Sequence, residues 1–217
     1  YEIPLRLVGS EMCIRDRADH GDGMGSHRMV TKQVSFYEEM TNVPFIIAGP
    51  GIHPRQKPVE DLLTQPTIDL LPTLCELAGI PVPSSKPGIS LAPFLKGEKQ
   101  KRQHPYAASE WHSEYEVTVS PGRMIRSPRY KYTHYLEGNG EELYDMLKDK
   151  GERRNLAHDP KYSKILAEHR ALLDDYIRRT QDDYRSLKVE ADKRWRSHAP
   201  GYPNHEGPCA RDIINRK

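Results

Sequence analysis

A short segment near the start of the chain carries the residues best suited to chemistry. Asp19 and His20 stand side by side before a glycine-rich loop that contains His27, and Lys32 follows 13 positions after Asp19. A carboxylate oxygen is a ligand that Ca²⁺ and Mg²⁺ prefer, whereas an imidazole is a less usual partner for such hard cations. A lysine ammonium can hold an anion, although a surface lysine is the ordinary interpretation of Lys32. Because an Asp-His pair is common by chance, its meaning depends on the elements around it.

The elements after this segment alternate between strand and helix patterns. Val43 to Ala48 is a short apolar run stopped by Gly49-Pro50-Gly51, which predicts a buried strand of a parallel sheet. Thr67 to Ala78 has apolar residues at helical spacing, and we expect Asp69 to cap this helix with Pro72 in its first turn. This alternation predicts an α/β layer.

The C-terminal half has a different pattern. Short alternating runs, separated by Pro-Gly and Ser-Pro turns, predict an antiparallel sheet with one solvent-exposed face: Tyr106 to Trp111, Arg123 to Arg126 and Tyr130 to Tyr135. A helix follows, capped by Asp159 with Pro160 at its first position, and its apolar stripe runs from Tyr162 to Ile177. His169 lies on that stripe, so we expect it to be a packed helix residue. Residues 181–217 predict an extended polar arm.

Charge and composition limit the kinds of molecule that the chain is expected to bind. The formal net charge is +2, so we expect no nucleic-acid partner, and the basic run from Lys188 to Arg196 is interpreted as a solvated helix face. No apolar run is long enough to span a bilayer. The three cysteines have neither metal-ligand spacing nor the pattern of a disulfide framework.

The segment from Asp19 to Lys32, continued by Tyr37-Glu38 and Val43-Pro44, resembles the sulfatase family of the alkaline-phosphatase superfamily. In that family a strand ends in Asp-His-Gly or Asp-Asn-Gly, and a glycine-rich loop with a histidine and then a lysine follow. The resemblance covers residues 18–177 and includes further matching stretches: Thr67 to Leu74, Ala78-Gly79-Ile80, Arg123 to Arg126, Arg129 to Tyr132, Glu142 to Asp145 and Asn155-Leu156-Ala157.

For several residues of the matching region, we predict no role in catalysis or binding. The family usually has Asp-Pro before the glutamate where this chain has Asp149-Lys150-Gly151-Glu152, and we interpret the difference as a change in a turn. Glu38 and Glu39 are expected to be structural. Trp111 and His134 are expected to pack rather than to line a sugar site.

The resemblance implies a set of site residues. Asp19 and His20 would be metal ligands, with Ca²⁺ as the expected ion and Mg²⁺ as the alternative. Lys32 would hold the sulfate and the leaving oxygen, because a fixed ammonium stabilises the charge that develops there. His27 would face the substrate or act near the leaving group, or it would only brace the loop.

The resemblance also implies a fold and a larger enzyme. The fold would be α/β, the C-terminal part of an alkaline-phosphatase-like (sulfatase) fold. The end of the large mixed sheet would lie in residues 18–100, and a small antiparallel sheet with a packed helix would lie in residues 101–180. The nucleophile of the family is a formylglycine made in a Cys/Ser-x-Pro-x-Arg motif, and no cysteine here has that context. We therefore expect the nucleophile upstream and the chain alone to be inactive.

The expected substrate is a small-molecule or carbohydrate sulfate ester, as for arylsulfatases and their relatives. The expected location is periplasmic or secreted, because members of the family are mostly periplasmic, secreted or lysosomal. Two alternatives are kept. A phosphonate monoester hydrolase or phosphodiesterase of the same superfamily shares the Asp-His and Lys pattern. A non-catalytic module could instead bind sulfated glycans through the basic C-terminal arm.

Residues 1–17 resemble a translated sequencing adapter, and three charged residues, Arg15-Asp16-Arg17, occupy positions where a buried strand should enter Asp19. The alternative is a genuine edge strand. We predict that independent genomic DNA replaces these seventeen codons with codons for an apolar strand. Sequencing across this junction tests the prediction, and recovery of the same seventeen codons would contradict it.

Overall fold

A computed structural model describes residues 14–29, 35–55, 59, 62–98, 104–111, 121–136 and 140–187. Its strands and helices, in chain order, are β1 (Ile14–Arg17), α1 (Glu38–Thr41), β2 (Phe45–Ala48), α2 (Pro66–Leu77), α3 (Ala92–Leu95), β3 (Ala107–Trp111), β4 (Gly122–Arg126), β5 (Tyr130–Tyr135), β6 (Gly140–Asp145) and α4 (Ser163–Thr180). Short 3₁₀ turns lie at Ser26–Arg28, Pro160–Tyr162 and Tyr184–Ser186. Among the described residues, no helix is both long and apolar enough to cross a membrane.

The first sheet consists of two strands. β1 pairs antiparallel with β2, with Ile14 opposite Ala48 and Arg17 opposite Phe45. Within the described residues, the predicted parallel partner for β2 is therefore wrong. Residues 15–17 are charged and exposed, and an antiparallel pair tolerates a solvated face where a parallel pair needs both faces covered.

The second sheet has four antiparallel strands in the order β3-β4-β5-β6. This part of the prediction is confirmed, but the expected solvent-exposed face is not present on the central strands. One face packs against α4 through a cluster that includes Ile125, Tyr132 and Leu143. On the other face, Tyr144 and Met146 form a cluster with Met29, Tyr37 and Met40. The sequence did not predict burial of this second face, because the face also carries the polar residues Lys131 and Thr133, which are buried.

Helix α4 follows the predicted pattern closely. The Asp159 carboxylate accepts a hydrogen bond from the Lys161 N–H, and Pro160 begins the 3₁₀ turn that leads into the helix. Leu166, His169 and Leu173 form its buried face. His169 contacts the Ser127 hydroxyl at 2.9 Å, so it is a packed helix residue, as the sequence predicted.

Helix α2 begins earlier than predicted. Pro66 is its first residue, and Asp69 lies inside the helix, where its buried carboxylate accepts hydrogen bonds from the Gln65 and Ile89 amides and contacts the His104 ring. The prediction that Asp69 is the N-cap residue of this helix is therefore wrong. Gln65 is the N-cap residue, and the Asp69 carboxylate bonds to its backbone N–H from within the helix. Pro72 leaves the Ile68 carbonyl without a helical donor, and Gly88 packs so close to that carbonyl that a Cβ would lie 2.0 Å from its oxygen.

Residues 181–187 return to the second sheet. Tyr184 is fully buried, and the Arg123 guanidinium makes a bidentate ion pair with Asp182 at 2.6 and 2.9 Å. The remainder of the predicted polar arm, residues 188–217, lies outside the described residues.

Leu173→Ala should lower the free energy of unfolding by about 2–5 kcal/mol, because Leu173 is 1% exposed and its loss leaves a cavity between α4 and the sheet. Leu147→Ala is the matched control: Leu147 is 67% exposed, and its removal should change stability by less than about 0.5 kcal/mol. Urea unfolding of both variants measures the difference. Equal losses would contradict the packing described for α4.

Candidate functional site

Asp19 and His20 follow directly after β1 and face solvent. The Asp19 carboxylate accepts a hydrogen bond from the His20 backbone N–H at 2.9 Å, and its side chain is 84% exposed. The His20 ring nitrogen Nδ1 lies 2.8 Å from the Gly21 carbonyl oxygen, which can only accept, so Nδ1 carries the proton. Nε2 lies 3.6 Å from Asp19 Oδ2. One carboxylate and one imidazole nitrogen thus lie side by side just beyond the end of β1.

The loop after His20 is held by α1. The Gly21 N–H donates to the Met40 carbonyl at 2.9 Å, and a Cβ at Gly21 would lie 1.7 Å from the Glu39 carbonyl oxygen. Only glycine fits this approach. The loop closes on itself through a hydrogen bond from the Gly25 N–H to the Met29 carbonyl at 2.7 Å. The position of Asp19 and His20 therefore depends on where α1 lies.

His27 lies in the same loop with a left-handed backbone, φ 49°. Its ring stacks face to face on Tyr37 at 3.7 Å between centroids, and its Nε2 lies 4.0 Å from Glu39 Oε2. A left-handed conformation is uncommon for a residue with a Cβ, so the surroundings must enforce it. Burial lowers the pKa of His27 below its ordinary value, and the nearby Glu39 carboxylate only partly opposes this effect. The imidazole is therefore neutral near pH 7.

A second group of ligand-type atoms adjoins His27. His27, Glu39 and Glu152 each bring one ligand atom within 4.8 Å of the others. Glu152, however, already pairs with the buried Lys131 ammonium at 2.9 Å. A cation at this point would have to displace or repel that ammonium, so the group fits a divalent ion less well than the open pair Asp19 and His20 does.

The structure brings together three of the four residues singled out in the sequence. Asp19, His20 and His27 lie on one loop that packs on α1, whereas Lys32 lies in residues 30–34, outside the described residues. Sequence reasoning overlooked Lys131 and Glu152, which contact the segment that supports this loop. The sequence did contain one signal for this pair, a lysine in the middle of the Tyr130 to Tyr135 strand pattern. If both faces of the sheet are buried, the charge of that lysine needs a buried partner.

The described architecture agrees with the comparisons to known proteins. Residues 25–179 match the family model for the C-terminal part of N-sulphoglucosamine sulphohydrolase. The chain therefore belongs to the sulfatase family.

Individual relatives agree with this assignment. The chain is 77% identical over 217 residues to a Delta 4,5-hexuronate-2-O-sulfatase of Bacteroides thetaiotaomicron, and the match covers 100% of this chain and 44% of the relative. The solved structure of a 2-O GAG sulfatase superposes with a TM-score of 0.81 and 76% identity over 93% of this chain and 43% of that chain. The chain thus spans less than half the length of these relatives.

The phosphonate hydrolase alternative receives support at the level of fold alone. A phosphonate monoester hydrolase from Silicibacter pomeroyi superposes with a TM-score of 0.67 at 24% identity, over 83% of this chain and 39% of that chain. The much higher identity to a sulfatase makes the sulfatase interpretation the stronger one.

His27 should titrate below its ordinary pKa of about 6.5, and Glu39→Gln should lower this pKa further, because the Glu39 carboxylate stabilises the imidazolium. Asp22→Asn, which removes an exposed carboxylate of the same loop, is the control and should have little effect. An NMR titration, with the His27 signal assigned from a His27→Gln variant, measures both. A His27 pKa that rises in Glu39→Gln would contradict the geometry.

Proposed function

We propose that the chain is the C-terminal portion of an enzyme that hydrolyses a sulfate monoester, with Asp19 and His20 as two ligands of a divalent cation. The supporting observation is the exposed Asp19 carboxylate with Oδ2 3.6 Å from His20 Nε2, in a chain of the sulfatase family. Ca²⁺ is the proposed ion, because a carboxylate is a hard oxygen ligand, and Mg²⁺ is the alternative. When bound, the cation would neutralise charge on the sulfate oxygens.

The roles of the other two residues follow from their chemistry. Lys32 would hold the sulfate and the leaving oxygen as a fixed positive charge. His27, neutral in the free site and stacked on Tyr37, would accept a proton near the leaving group, and the imidazolium formed in this way would then donate a proton to the leaving oxygen. The nucleophile would be a formylglycine supplied by a preceding part of the longer protein, since no cysteine of this chain lies in the required motif.

The proposed substrate class is a sulfated carbohydrate with an O-sulfated uronate. The support is the high identity to a relative named as a hexuronate-2-O-sulfatase. A periplasmic or secreted location is part of the same proposal, because members of the sulfatase family are mostly periplasmic, secreted or lysosomal.

In the complete enzyme, Asp19→Ala should abolish binding of the metal, because it removes an anionic ligand that neutral side chains cannot replace. Lys32→Ala should leave the metal bound yet lower kcat/KM by about 10²–10³, the effect of losing one preorganised donor at developing charge. Metal content and hydrolysis of an unsaturated 2-O-sulfated uronic acid disaccharide are the two measurements.

Two controls accompany this test. Lys164→Ala removes an exposed lysine of α4 and should leave both quantities unchanged. The 217-residue chain by itself should show no turnover. Near-normal kcat/KM in Lys32→Ala with full metal content would contradict the role of Lys32, and faster hydrolysis of a phosphonate monoester than of any sulfate ester would contradict the proposed reaction.

A further inference from the structure

The Lys131 ammonium is buried in the centre of β5 and is 1% exposed. It donates to the Phe36 carbonyl at 2.8 Å and pairs with Glu38 Oε1 at 2.8 Å and Glu152 Oε1 at 2.9 Å. One hydrogen bond and two ion pairs thus hold the ammonium. Two of the three partner groups belong to the segment at the start of α1, so β5 is tied directly to that segment.

Glu152 makes the second tie. It is 3% exposed and has a left-handed backbone, φ 48°, and its Oε2 accepts a hydrogen bond from the Glu38 N–H at 2.7 Å. That N–H is one of the amides at a helix start that lack an intrahelical partner. A carboxylate from a turn 114 residues later thus caps α1.

The same segment, residues 36–41, also contacts the candidate site. The Met40 carbonyl accepts from the Gly21 N–H, and the Glu39 carbonyl touches Gly21. Tyr37 stacks on His27. A shift of α1 would therefore move both the Asp19–His20 strand end and His27.

We propose that Lys131 and Glu152 are positioning residues that set the place of the site loop through α1, an inference that rests on the proposed function. Apolar residues can often replace a buried ion pair without loss of stability, so stability alone does not explain this pair. Lys131 and Glu152 also make directional hydrogen bonds to two backbone groups, the Phe36 carbonyl and the Glu38 amide. Apolar side chains cannot make these bonds, so only polar residues here can fix the position of the backbone.

The test uses the complete enzyme and two measurements. Lys131→Met removes the ammonium, and Lys131→Met with Glu152→Gln also removes the Glu152 charge, so that this buried carboxylate is not left unpaired. The half-buried Glu38 carboxylate keeps the Arg126 guanidinium at 3.5 Å in both variants. Arg123→Met is the matched control, because Arg123 is equally buried in the same sheet but pairs with Asp182 on the α4 side. Hydrogen exchange at Gly21, Thr41 and Asn42 reports the position of α1 and the loop, and steady-state kinetics at a temperature where all variants are folded reports the site.

Both Lys131 variants should speed exchange at Gly21, Thr41 and Asn42 and lower kcat/KM by about 10–100-fold, as losses of supporting contacts do. Arg123→Met should do neither. Unchanged exchange, an equal effect in Arg123→Met, or faster exchange with unchanged kcat/KM would each overturn the inference. If the wild-type enzyme hydrolyses no sulfate ester, the proposed function fails, while the exchange comparison still decides whether the two residues hold the loop.

Discussion

The buried ammonium of Lys131 constrains the described structure more than any other single group. Removal of a charge from water costs several kcal/mol unless the charge is fully paired. Its acceptors come from two distant segments, residues 36–38 and the turn at Glu152. β5, α1 and that turn can therefore satisfy the ammonium in one relative arrangement. The position of the candidate site loop depends on the same arrangement, because the Gly21 N–H of the loop donates to the Met40 carbonyl of α1.

The two faces of the second sheet use different interactions. Toward α4, an apolar cluster around Ile125, Tyr132 and Leu143 is closed at one end by the Arg123–Asp182 ion pair. Toward α1, aromatic and methionine side chains surround Lys131. The α4 face packs through apolar side chains, whereas the α1 face adds the hydrogen bond and ion pairs of Lys131.

Strain and exposure are concentrated in the loop between Asp19 and Met29. His27 and its neighbours Met24 and Arg28 have left-handed backbones, and Asp19 is largely exposed. Such conformations persist only where the surroundings determine them. Here the surroundings are the Tyr37 ring, the Met40 carbonyl and the close approach at Gly21, all contributed by the segment around α1.

Local patterns determined much of this protein without tertiary information. The Asp159-Pro160 start and apolar stripe of α4, the alternating strands of the second sheet and the motif from Asp19 to Lys32 were all legible, because caps, periodicity and motif spacing depend on near neighbours in sequence. Only the tertiary structure decided the capping of α1 by Glu152, the burial of Lys131, the early start of α2 around Asp69 and the antiparallel pairing of β2. Each of these depends on a partner far away in the chain. Because lysine and glutamate are mostly exposed in proteins, the sequence alone predicts that they are surface residues. Only the tertiary structure shows that an opposite charge lies beside them.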